Sequence, residues 1–203
     1  MNHYLQDTEY AAKALFEAIT HEVDALKSLL QQREKSRAME EAYDLAFKVR
    51  ANHPAANYWY GEWYKAAQER NDVETRVAEL ELRIADREFS LETLAAAVLQ
   101  IGKQGISTVF GKPDNCPKTR DVFGQEIARV VFEGRNQALH YEEPRKIDDK
   151  CMGMFTALAE ACGDQSLKEA RNRKNLAGKV LNLLGWHDYD SYLGDMIAVL
   201  GNR

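Results

Sequence analysis

Residues 77–101 read VAELELRIADREFSLETLAAAVLQI, and their spacing sets the fold class. Val77, Ile84, Leu91 and Val98 recur every seven residues, with Leu80, Leu94 and Ile101 at the companion positions and Arg87 as the exception. Two apolar positions per heptad make a helical seam, whereas a half-buried strand would alternate. Over about seven turns, periods of 3.5 and 3.6 are hard to separate. The seam therefore fits a coiled-coil-like hairpin, a dimer contact, or an amphipathic helix on the chain's own core.

Working outward, the same helical period recurs. Leu15, Ile19, Val23, Leu26 and Leu30 form one stripe, predicting a first helix over 5–33. The charged run 32–37 is either a break or an exposed continuation into a second helix at 37–51, which ends before Pro54. From Pro54 the pattern stays helical for nearly fifty residues, with Asn71-Asp72 the expected interruption and Gly102 and Gly105 the expected end. Residues 105–118, rich in Gly, Pro, Asp and Asn, read as the clearest loop. Thr119 is the expected N-cap of a helix over 119–145 that buries Phe123, Ile127, Val130 and Val131 and stops at Pro144. Further helices are expected at 147–162, 166–184 and 188–200, separated by Gly163 and Gly185. The expectation is a single all-α domain over 1–203, a helical bundle with a long amphipathic helix pair. One reading has 37–104 protruding from it as a helical hairpin.

Composition bounds the function. With 4 prolines and 12 glycines in 203 residues, long helices are favoured over many-turned β structure. No apolar stretch reaches the length of a membrane span and the polar N-terminus has no signal-peptide pattern, which favours a cytoplasmic protein without membrane contact. Cys116, Cys151 and Cys162 have no metal-ligand spacing and are expected to be reduced structural thiols. His21, His53 and His187 have no partners at metal or triad spacing. A net charge of -5 argues against a general nucleic-acid coat. The charge is uneven, however: 1–102 balances at -6 and 103–203 at +1. Lys112, Lys118, Arg120, Arg145, Lys146 and the run Arg171-Asn172-Arg173-Lys174 are either a local basic rim or ordinary solvated faces. The aromatic cluster Tyr58-Trp59-Tyr60-Gly61-Glu62-Trp63-Tyr64 either stacks on unpaired bases or, more commonly for such spacing, packs in a core or interface.

The chemistry-bearing stretch is Arg135-Asn136-Gln137-Ala138-Leu139-His140. A guanidinium holds phosphate and stabilises its added charge, and an imidazole moves protons near neutral pH. Together they suffice in principle to cleave RNA without a metal. Asn136 lies four residues before His140 and shares its helix face. Arg135 and His140 sit roughly 140° apart around an ideal helix and about 7.5 Å apart along it, so a partner surface has to complete a joint site. The plain alternative is a surface arginine and a capping histidine at a helix end.

Arg, Asn, three residues and His on a late helix, preceded by Glu126-Ile127-Ala128-Arg129-Val130-Val131-Phe132-Glu133-Gly134 and followed by Tyr141-Glu142-Glu143, resembles the signature helix of the HEPN superfamily (higher eukaryotes and prokaryotes nucleotide-binding). The resemblance covers about 119–145. It implies a HEPN-like fold and a metal-independent endoribonuclease, commonly a toxin or antiviral defence effector, acting as a homodimer on RNA and requiring no cofactor. It implies catalytic roles for Arg135 and His140 with Asn136 in support. Arg120, Arg145 and Lys146 are the expected RNA contacts, and an antitoxin or other regulatory protein is a further expected partner. The rival reading is a non-catalytic helical interaction or scaffold protein working through its heptad seam and aromatic cluster.

Overall fold

The computed structural model describes residues 2–51 and 60–201, and the chain is all-α: a helical bundle with one two-stranded hairpin. Two helices dominate, α1 (His3–Ala51) and α2 (Tyr60–Phe110). After a 3₁₀ turn at Pro113–Asn115 come strands β1 (Asp121–Val122) and β2 (Gln125–Glu126), then α3 (Ile127–His140), α4 (Asp149–Cys162), a 3₁₀ helix at Gln165–Arg171, α5 (Ala177–Leu184) and α6 (Tyr189–Leu200). The chain forms two compact units, 22–89 and 1–21 with 90–203.

In the unit 22–89, α1 and α2 pair through their apolar stripes. Leu80 and Ile84 of the seam are buried against Leu29, flanked by Leu26 and Leu30. The heptad is thus used within the chain here. Its exception has a partner: Arg87 donates to Glu22 on α1 at 2.6 Å. The charged run 32–37 is the exposed continuation of one helix and not a break, and the interruption expected at Asn71-Asp72 does not exist. In both places the chain lies inside a paired helix, and packing of one face overrides weak local propensity. Of the aromatic cluster, residues 58 and 59 lie outside the described residues. So do the side chains of Tyr60 and Trp63, while Tyr64 is exposed.

In the other unit α3 sits among α2, α4 and α5. Gly102 and Gly105 do not end α2, which runs on to Phe110. They are contact glycines: a Cβ at Gly102 would come 3.0 Å from Val131, and one at Gly105 2.8 Å from the Tyr4 ring and 2.9 Å from Leu200. The core gathers Phe16, Trp186 and Tyr192, the last two edge to face at 4.9 Å.

The motif helix begins later than expected. Thr119 does not cap it, because Asp121–Glu126 fold into the β-hairpin and α3 starts at Ile127. Phe123 (φ 50°) and Gly124 (φ 82°) both take left-handed backbone, as a two-residue hairpin turn needs, and Asp121 Oδ1 accepts from Gly124 N at 2.6 Å. Phe123 is consequently half exposed, not buried, while Ile127, Val130 and Val131 are in the core. The helix expected at 166–184 is two elements, because Arg173 turns at φ 55° between the 3₁₀ helix and α5.

Candidate functional site

α3 carries the whole motif and ends at His140, in its last turn. Its inward face is Ile127, Val130, Val131, Gly134 and Ala138. Gly134 allows α5 to approach: a Cβ there would come 2.8 Å from Val180. Gln137 lies on this face and is fully buried. Its Nε2 donates to Ala170 O at 3.1 Å and Lys174 O at 2.7 Å, and its Oε1 accepts from Leu176 N at 3.0 Å. One side chain thus satisfies three backbone groups of the 170–176 loop, where an orphaned group would destabilise the fold.

On the next face, Glu133, Asn136 and His140 line a cavity of about 170 Å³. Its other wall is Lys146, Ile147, Asp148 and Cys151. Asn136 Nδ2 donates to Glu133 Oε2 at 3.1 Å. Glu133 is 8% exposed, and burial raises its carboxyl above the ordinary range against the lowering effect of the Asn136 bond. Asp148 caps α4 by accepting from Cys151 N at 2.8 Å. Burial pushes the Cys151 thiol up to about 12, which keeps it protonated and inert at neutral pH.

Arg135 is not among the residues lining that cavity. It is half-buried, its Nε donates to Gln100 Oε1 on α2, and burial lowers its pKa from the ordinary value. The structure therefore brings Asn136 and His140 to one hollow and turns Arg135 toward a different neighbour, as the 140° separation requires.

The expected RNA contacts divide. Arg120 is engaged by its own chain: Nε and Nη2 clasp Asp195 at 3.0 and 2.5 Å, and Nη2 also reaches Leu184 O at 2.6 Å. Arg145 is exposed, and Lys146 pairs with Glu143 at 2.9 Å beside the cavity. In the other basic run, Arg171 donates to Ile147 O and Asp149, and Lys174 pairs with Glu169. Among the described residues no cluster of three or more His, Cys, Asp or Glu has the geometry of a metal site.

Glu133, Gln137, Gln100 and Lys103 take part in these contacts and lie outside the expected site residues. A signal existed for Gln137: it falls seven residues after Val130 and three after Gly134, a polar residue on an apolar stripe, which implies a buried hydrogen-bonding role. Comparison of the chain with protein-family models, with characterised proteins and with solved structures returned no match.

Proposed function

We propose that this chain is a metal-independent endoribonuclease of the HEPN kind, working from the C-terminal half of α3. The observation that carries the reading is the hollow shared by His140 and Asn136, which Lys146 also lines. Imidazole, amide and cation at one solvent-open cavity can move a proton, orient a reactant and attract phosphate.

In the reaction, the ribose 2′-oxygen attacks the adjacent phosphorus and the bond from phosphorus to the 5′-oxygen breaks. His140 takes the 2′-hydroxyl proton or delivers a proton to the leaving oxygen. Asn136 orients it, and Arg135 neutralises the added charge on the phosphoryl oxygens. A 2′,3′-cyclic phosphate and a 5′-hydroxyl result. Because Arg135 lies outside the His140 hollow, the joint site is completed by two copies pairing through their motif helices, each supplying what the other lacks. A toxin or antiviral effector restrained by an antitoxin is the setting the HEPN resemblance suggests.

The Arg135–Gln100 bond favours a second reading, a non-catalytic helical interaction protein in which the arginine is a helix-packing residue. Mapping new 5′-hydroxyl RNA ends in cells expressing the wild type or His140→Ala separates the two. New ends that vanish with the substitution support the nuclease, and identical maps support the interaction protein.

A further inference from the structure

On a different flank of α3 from the His140 hollow, two cations are close enough to act on each other. Gln100 and Lys103 are three residues apart on α2 and share a face, as do Phe132 and Arg135 on α3. Two crossing contacts join these faces: Arg135 Nε to Gln100 Oε1, and the Lys103 ammonium over the Phe132 ring at 4.6 Å from its centroid. Lys103 and Arg135 are therefore diagonal neighbours at one helix–helix contact. Both are partly buried. They repel: the Arg135 charge helps to lower the Lys103 pKa, second to desolvation. The carboxylate with an effect on Lys103 is Glu133, whose side chain is bonded to Asn136. Among the described residues neither cation has an ion-pair partner, whereas Arg120, Lys146, Arg171 and Lys174 all do.

Holding two like charges together at a half-dry contact is unfavourable unless an anion joins them. Gln100 occupies one of the five guanidinium donors and fixes the plane of the fork, leaving the rest for an oxyanion. We infer that Lys103 and Arg135 together bind one backbone phosphate of the RNA, making Lys103 a substrate-binding residue contributed by α2. This inference rests on the ribonuclease reading for its ligand. A phosphodiester fits because it is a single negative charge spread over two oxygens, matching a fork beside a point charge.

The test uses the full chain and a fluorescent single-stranded RNA made uncleavable by 2′-deoxy substitution, titrated across a series of salt concentrations. Lys103→Met and Lys103→Gln should each lower the slope of log affinity against log salt by about 0.7 and weaken binding about five- to tenfold at 50 mM salt. Lys103→Arg should restore both. Methionine keeps an apolar stem against Phe132 and glutamine is the second neutral variant, so a folding defect in one leaves the other readable. Inorganic phosphate serves as a parallel probe: a Lys103 effect on phosphate binding without one on RNA binding overturns the inference. So does an unchanged slope in both neutral variants, or a wild type that does not bind the RNA. If the slope falls as expected but the wild type cleaves no natural RNA, the phosphate site stands and the nuclease reading fails.

Discussion

Gln137 shows how much one residue inside the motif matters to the fold. Two of its three hydrogen bonds, to Ala170 O and from Leu176 N, are buried away from water, and the third, to Lys174 O, is partly buried. Gln137→Ala should lower unfolding stability by about 3 kcal/mol, read as a shift in urea midpoint. Gly134 fails differently: Gly134→Ala drives a methyl into Val180 and should destabilise by about 1–3 kcal/mol through overpacking. Glu133 supplies a pH signature. Burial raises its carboxyl above the ordinary 4.5, so the folded protein keeps a proton that the unfolded chain has already released. Stability therefore falls as pH rises from 4.5 through the shifted value, and Glu133→Gln should abolish that fall in urea titrations across the acid range. At the phosphate flank, Gln100→Glu would place a carboxylate against Arg135 and should weaken RNA binding while leaving thermal stability little changed.

At the scale of elements, the pairing of α1 with α2 in the unit 22–89 depends on a small apolar cluster. Leu80→Ala should destabilise it by about 2–3 kcal/mol, seen as faster amide exchange in 22–89 with 127–184 unaffected. The helical class was legible because the seam at 77–101 repeats every seven residues and turn residues are few. Gly102 and Gly105 looked like stop signals, but they exist for contact with Val131, Tyr4 and Leu200, and only a tertiary partner reveals that. The β-hairpin has no clear sequence signal because Phe123 occupies a left-handed position that Asn or Asp usually marks. At 32–37, of the two readings the sequence left open, the exposed continuation is the one observed, because a charge run is compatible with an exposed helix face. Of the candidate site, the neighbourhood of Asn136 and His140 followed from their four-residue spacing. The separate environment of Arg135 followed from its angle, but Gln100 and Lys103 belong to another helix and no local pattern could name them.

At the scale of the whole molecule, the net charge of -5 confines any RNA contact to local cations, and Lys103 and Arg135, which have no ion-pair partner among the described residues, are the most distinctive of these. No described helix is long and apolar enough to cross a membrane. On the proposed nuclease reading, a site divided between two faces of α3 would need pairing, so sedimentation should give twice the 23.1 kDa chain mass at concentrations where RNA is cut. Central to the account is that His140 moves the proton in strand cleavage. The most direct measurement incubates purified wild type and His140→Ala with a defined RNA in EDTA and identifies the product ends. The wild type should leave 2′,3′-cyclic phosphate and 5′-hydroxyl ends, with the rate falling at least about 100-fold in the variant. Equal rates, or no cleavage by the wild type under any salt condition, would contradict it.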